Sequence, residues 1–381
     1  MIKQKFKRNM KELQIGNLKV KLPIIQGGMG VCVSLSGLAS AVANEGGIGI
    51  ISAVGIGMTE PNYRKNFKKA NKIAFRKEIR KARAKTNGII GANIMMAVTD
   101  YEDLLKVAFE EKIDVVIVGA GLPLKKPIYL LENTSTKFIP KVSSARAAKL
   151  IFRRWSEQYN RVPDAVVVEG PMAGGHLGFK KKDGFIPKIL LSSIVKETVN
   201  EIDFFEQKYG IEIPVIAGGG IYTGKDMFDI MNVGAKAVKM GTRFVTTNEC
   251  DVSEKFKQNY ISCSPQDITI IDSPVGLPGR VITNDFVKEI QLGKQKPINC
   301  SWKCLKTCDY KKSQFCIAEA LFNAAKGDFT HGFSFAGTKA YLAEKIISVK
   351  ETFNQIKNEY SQAQLGLKPE NLNIELKRKA S

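Results

Sequence analysis

The sequence predicts an α/β fold, a (β/α)8 TIM barrel with a small cap or lid region inserted late in the chain. Three observations predict it. Eight short apolar runs alternate with helical stretches from residue 23 to about 245. Most runs are apolar throughout instead of alternating, as parallel strands covered on both faces are. Glycine clusters follow several of the runs, where a barrel places its loops and its chemistry. A doubly wound open sheet is the alternative architecture.

In order, the predicted strands are Pro23–Gln26, Ile48–Ser52, Gly88–Asn93, Val115–Val118, Lys137–Val142, Ala165–Glu169, Val215–Ala217 and Ala237–Met240. Leu35–Asn44 is the first crossover helix. Phe75, Ile79 and Ala82 stand at helical spacing in the second, inside residues 63–86. The fourth crossover is the weak one, because GAGLPLKKPIYLLENT offers little regular helix. Ser144–Tyr159 and Ser192–Tyr209 are the helices after strands five and six. Residues 1–250 are thus the barrel. Residues 251–316, with Pro, Gly, Asn and five of the seven cysteines, show little periodicity and read as the cap. Ile317–Ala325 and Lys339–Gln355 are closing helices within 317–360, and 361–381 is a loose tail.

Composition narrows the classes. The 381 residues are 44% apolar, 25% charged and 8% aromatic, with 33 glycines, which excludes collagenous and disordered chains. No apolar run spans a bilayer, and MIKQKFKRNMKELQ lacks the apolar core of a secretion signal. Seven cysteines, an odd number in a large chain, argue for a reducing cytoplasm rather than a disulfide scaffold. The net charge of +21 is concentrated. Residues 1–21 carry seven Lys or Arg against one Glu, and residues 63–86 carry eleven against one. No nucleic-acid-binding signature accompanies that charge, so it reads as a solvated surface.

The loops carry the chemistry. Gln26-Gly27-Gly28-Met29-Gly30 follows strand one, where glycine lets a backbone approach a flat ligand. Gly218, Gly219 and Gly220 follow strand seven, and Met240, Gly241 and Thr242 end strand eight. In barrels these two loops commonly form a phosphate site. No dinucleotide fingerprint is present. His176 lies in GPMAGGHLG after strand six, on the same barrel face, where an imidazole could bond a substrate or move a proton. His331 reads as structural. Cys300, Cys304, Cys308 and Cys316 do not match the regular zinc or ferredoxin spacings. On a helix that spacing would put several thiols on one face. They are expected to be packed thiols, with no metal. Cys32 reads as core.

The segments PIIQGGMG, GANIMM, VVVEGPMAGGHLGF, VIAGGGI and KMGTRF, in that order, resemble the FMN-dependent nitronate monooxygenases (2-nitropropane dioxygenases). The similar FMN-dependent enoyl-ACP reductases share the barrel and much the same motifs. The resemblance covers most of residues 20–250, and FAGTKAYLAEKIISVKE is also similar. It implies FMN across the barrel mouth, with Gly28 and Met29 near its ring, Asn93 at its edge, Gly174 and Gly175 allowing close approach, and Gly220, Gly241 and Thr242 on its phosphate. It implies that His176 is the active-site histidine. Lys141, ending strand five, would add positive charge. Glu169 stands where many members carry glutamine. The implied activity is oxidation of alkyl nitronates, such as propionate 3-nitronate, with O2 to a carbonyl compound and nitrite. The alternative is NAD(P)H-dependent enoyl reduction, in which an acyl carrier protein would dock on the basic surface. An IMP dehydrogenase-like enzyme would need a cysteine after strand six, and none is there.

Overall fold

The computed structural model describes residues 10–130, 135–179, 190–296, 298, 300 and 302–366. It opens with an antiparallel hairpin, β1 (Leu13–Ile15) and β2 (Leu18–Val20), joined at Gly16-Asn17 with Gly16 at φ +56°. The barrel then begins with β3 (Ile24–Gln26), α1 (Ser36–Asn44), β4 (Ile48–Ser52), α2 (Phe67–Lys85), β5 (Ile89–Met95), α3 (Tyr101–Glu110) and β6 (Val115–Gly119). It continues through β7 (Lys137–Val142), α4 (Ala145–Tyr159) and β8 (Val166–Glu169). A two-residue strand, β9 (Gly175–His176), lies outside the barrel and precedes α5 (Leu191–Tyr209), β10 (Val215–Gly218), α6 (Gly224–Asn232) and β11 (Ala237–Met240). Eight parallel strands close on themselves, with Met240 of β11 paired to Gln26 of β3. No helix forms between β6 and β7 among the described residues.

Two apolar layers hold the barrel. Ile25, Ile48, Ile50, Val115, Ile117, Ile139, Val167 and Ile216 fill its interior, and Leu13, Ile15 and Val20 of the hairpin join that cluster. The hairpin thus buries its apolar face against the barrel interior, in a stretch whose charge marks it as surface. Residues such as Ile24, Ile51, Ile90 and Val116 face the helices instead. The short α7 (Thr242–Val245) follows β11. The helix that completes the outer ring comes a hundred residues later, as α11 (Val349–Gln364), packed on α6 and α1. Gly224 allows that contact, since a Cβ there would lie 2.1 Å from the Ile356 carbonyl oxygen.

Residues 251–316 contain more regular structure than their pattern suggests: α8 (Glu254–Ile261), the hairpin β12 (Ile268–Asp272) and β13 (Pro278–Ile282), and α9 (Asp285–Gln291). Each element is too short for its period to stand out. The remaining helix, α10 (Ile317–Ala325), follows the cysteine-rich segment.

The charge of α2 has a structural use. The helix buries Phe75, Ile79 and Ala82, while its basic face meets acids from neighbouring elements. Arg76 pairs with Glu110 and Glu111, Arg80 with Glu111, Lys72 with Asp103 and Arg83 with Asp114. A surface so neutralised attracts an acidic partner less than its composition implies. No helix among the described residues is long and apolar enough to cross a membrane.

Candidate active site

Alternation along each barrel strand decides which side chains reach the mouth. Ile117, Ile139, Val167 and Ala237 point into the interior. The next inward positions toward the C-terminal ends are therefore Gly119, Lys141, Glu169 and Lys239. All four line a cavity of about 1250 Å³, together with Ser52 and Asn93. Gly119 makes room for its neighbour, because a Cβ would stand 2.8 Å from Lys141 Cε. The Lys141 ammonium lies 2.9 and 2.8 Å from the two carboxylate oxygens of Glu169. The Lys239 side chain has no hydrogen bond or ion pair among the described residues. Enclosure in the cavity wall, and then the charge of Lys141, push its ammonium down to about 8, with Glu169 opposing.

Glycines form the rest of the mouth. Gly219 (φ +94°) and Gly220 (φ +82°) adopt backbone conformations that disfavour other residues. A Cβ on them would approach the Gly170 carbonyl oxygen to 2.9 Å and Met172 Cβ to 2.8 Å. Gly241 meets only the flexible Met29 side chain, at 3.4 Å. Thr242 Oγ1 accepts from the Gly337 amide at 3.0 Å. Gly28, Met29, Gly174, Gly175, Gly218, Gly219, Gly220, Gly241 and Thr242 all line the cavity with Asn93, Lys141, Glu169 and His176. Met240 is the exception. Its side chain turns outward and is 1% exposed in the layer against the helices, while its carbonyl accepts from the Gly27 amide at 2.7 Å. Lys239, one residue earlier, has the inward parity.

His176 is held by residues far away in sequence. β9 pairs with β13, placing Gly279 opposite His176 and Arg280 opposite Gly175. The His176 Nε2 lies 2.7 Å from Ser273 Oγ, in the loop between β12 and β13, and its ring meets Phe335 edge-on with centroids 4.8 Å apart. Arg280 donates to the carbonyls of Pro171, at 2.7 Å, and Ala173, bracing the loop that leads to the histidine. Burial, then the charge of Lys141, push the imidazole down to about 4, so it is neutral at physiological pH. Replacing Arg280 with Met leaves two carbonyls without this donor. The expected cost is about 1–3 kcal/mol in urea unfolding, with turnover lowered and any cofactor content unchanged.

Lys239, Ser273, Arg280, Phe335 and Gly337 complete the site beyond the residues that motif reading singles out. Lys239 was legible from its parity with Ala237. Ser273 and Arg280 carry no local signal, since only the β9–β13 pairing brings them in. His331 bonds Asp328 at 2.8 Å on the surface, away from the cavity. Cys32 is buried, and burial pushes its thiol up to about 12.

The four clustered thiols meet through a folded loop rather than on a helix face. Cys300, Cys304, Cys308 and Cys316 are free and share one small second cavity with Tyr310 and Phe315. Leu305 bridges to Val98, and Thr99 donates to the Cys304 carbonyl at 3.0 Å, pinning the loop to the barrel. Burial and neighbouring thiols push Cys304 up to about 12, and burial pushes Cys316 up to about 11. Among the described residues no three His, Cys, Asp or Glu side chains are arranged to hold a metal ion.

Comparison with known proteins gives a consistent picture. The family described as nitronate monooxygenase matches residues 11–359. The (3aS,4S,5R,7aS)-5-hydroxy-7a-methyl-1-oxo-octahydro-1H-indene-4-carboxyl-CoA dehydrogenase of Rhodococcus jostii is 28% identical over 272 residues, 71% of this chain and 65% of that protein. The chain thus spans just under two thirds of that relative's length. A probable nitronate monooxygenase of Staphylococcus saprophyticus is 27% identical over 72% of this chain and 79% of its own. The structure of FabK from Thermotoga maritima is similar, with a TM-score of 0.70 and 30% identity, covering 91% of this chain and 95% of that one.

Proposed function

Because this chain belongs to the nitronate monooxygenase family, a family of oxidoreductases, we propose that it is an FMN-dependent nitronate monooxygenase. It would convert an alkyl nitronate, such as propionate 3-nitronate, and O2 to a carbonyl compound and nitrite. One observation carries the reading: at the barrel mouth the Lys239 ammonium stands unpaired among the described residues, near the Lys141–Glu169 ion pair and a neutral His176. A nitronate is already an anion. It needs positive potential and orientation, which this set supplies, rather than a strong base.

The residues present fit FMN. The Lys239 side chain presents its ammonium to the cavity with no protein acceptor among the described residues, a donor that an anionic or carbonyl group of the ligand would take up. Gly28, Met29 and Asn93 would flank the ring, with Lys141 and Glu169 near it and Gly174 and Gly175 leaving it space. Gly218, Gly219, Gly220, Gly241 and Thr242 would hold the phosphate, and Met240 would contribute through its backbone alone. Bound FMN supplies the electron acceptor for the substrate. Ser273 holds Nε2 of His176 and leaves Nδ1 to orient the nitronate, or to take a proton if a neutral nitroalkane enters. The apolar walls and the β12–β13 hairpin limit water at the reacting atoms.

A second reading, an NAD(P)H-dependent enoyl-ACP reductase, is favoured by the size of the cavity, larger than a small nitronate needs beside FMN, and by the likeness to FabK. Anaerobic mixing separates the two. Bleaching of the flavin absorbance by propionate 3-nitronate supports the monooxygenase; rapid bleaching by NAD(P)H, with no response to nitronate, overturns it. We also propose that the clustered thiols bind no metal and that the protein is cytoplasmic. Elemental analysis is then expected to show neither zinc nor iron in stoichiometric amount, and one equivalent of either per chain would refute the packed-thiol reading.

A further inference from the structure

The two ring nitrogens of His176 sit in different surroundings. Nε2 lies 2.7 Å from Ser273 Oγ. Nδ1 makes no hydrogen bond among the described residues and keeps accessible surface, in a ring that lines the large cavity. Ser273 is buried at the tip of the β12–β13 hairpin, and backbone bonds hold it there. Its amide donates to the Leu277 carbonyl at 3.3 Å, and its carbonyl accepts from the Gly276 amide at 2.8 Å. The hydroxyl oxygen accepts from the Val275 amide at 3.3 Å. Among the described residues the hydroxyl proton has one acceptor within reach, Nε2 of His176. The imidazole is neutral, so one nitrogen carries a proton and the other a lone pair. With the proton on Nε2, both neighbours would donate to Ser273 Oγ, and the buried hydroxyl proton would have no acceptor. With Ser273 donating to Nε2, each group at this end of the ring is satisfied, and the ring proton stands on Nδ1.

We propose that Ser273 is a positioning residue that fixes His176 as the Nδ1–H tautomer, so that the ring offers the substrate a hydrogen-bond donor and not a base. An oxygen acceptor of the substrate meets that donor. A nitronate oxygen carries negative charge, which strengthens such a bond. Taking a proton from the carbon of a neutral nitroalkane needs a bare nitrogen facing that carbon. The one lone pair of this tautomer is turned to Ser273 instead. Of the two roles open to His176, orientation is therefore the one that remains, and the substrate enters as the preformed anion. The tautomer stands whichever reaction the site performs. The choice of nitronate over nitroalkane rests on the monooxygenase reading.

The test uses the flavin-loaded protein with 15N-labelled histidine. The chain has two histidines, and His331→Gln removes the signals of the other, so those of His176 are assigned directly. Long-range 1H–15N correlations at neutral pH are expected to show a protonated Nδ1 and an unprotonated Nε2. Ser273→Ala should move the tautomer ratio toward Nε2–H by about threefold or more, the worth of one net hydrogen bond. A dominant Nε2–H form in the native sequence, or a ratio unchanged in Ser273→Ala, overturns the assignment. If Ser273→Ala does not fold, the native spectrum decides alone. The consequence for substrate is read anaerobically in D2O with 3-nitropropanoate in its neutral nitro form. Exchange of the hydrogens beside the nitro group should be no faster with the native protein than with His176→Ala, while propionate 3-nitronate bleaches the native flavin. Exchange that depends on His176 makes the ring a base and refutes its assigned role. A flavin that nitronate does not bleach refutes the monooxygenase reading, whereas the histidine spectrum judges the tautomer independently of it.

Discussion

His176→Ala is expected to lower turnover by about two to four orders of magnitude, the range set by loss of a positioned acid–base or orienting group. FMN content and fold should survive, because the glycine loops and Thr242 sit on other strands. Steady-state kinetics with nitronate, alongside the flavin-to-protein ratio, check both parts. Near-normal turnover would remove His176 from the chemistry. The histidine also makes an acid prediction. Its native value of about 4 lies below the ordinary 6.5 because burial and Lys141 disfavour the charged ring. Between those values the unfolded chain binds the extra proton, so stability is full above about pH 6.5. It falls as the pH drops toward 4 and levels off below. The linked loss is about 3 kcal/mol. Urea unfolding at several pH values should show this slope in the native sequence and a shallower one in His176→Ala. No break in the activity profile between pH 6 and 8 should trace to this ring.

Gly241→Asp is expected to abolish FMN retention, raising the dissociation constant at least about 100-fold. The position faces the cavity between the Gly218–Gly220 turn and Thr242, and an added Cβ meets only Met29 at 3.4 Å. Gly241→Ala should therefore keep the cofactor, with at most a small loss of affinity. The aspartate differs by a charge. A carboxylate about 4 Å from a phosphate costs roughly 4 kcal/mol at an effective dielectric constant near 20. Absorbance near 450 nm after gel filtration reads the outcome. Retention of FMN by the aspartate variant would place the phosphate elsewhere, and loss in the alanine variant would mean that the backbone tolerates no side chain there.

What the sequence determined by itself was the barrel and the addresses on its rim. Eight apolar runs of strand length, separated by crossovers, leave little choice of architecture. Loop glycines such as Gly219 and Gly220 announce their positions, since a positive φ is a local requirement written in one residue. His176 was legible because it stands in such a loop directly after a strand. Even the β1–β2 hairpin has a local sign, Gly16-Asn17 between two short alternating runs, although the surrounding charge hides it.

Tertiary structure alone decided what those addresses face. The position of His176 depends on Ser273 and β13, a hundred residues away, and its neutral state on burial there and on Lys141 across the mouth. The choice of Lys239 over Met240 follows from the parity of a strand fixed by closure of β11 on β3. The basic face of α2 was bland surface by composition, and became an ion-paired seam once α3 lay beside it. The buried carboxylate of Asp100 finds its Asn71 partner only because α2 lies against α3. Periodicity and turn chemistry are set by neighbours in the chain, and a sequence displays them directly. Burial, charge pairing and unpaired polar atoms are set by residues that meet only when the barrel closes.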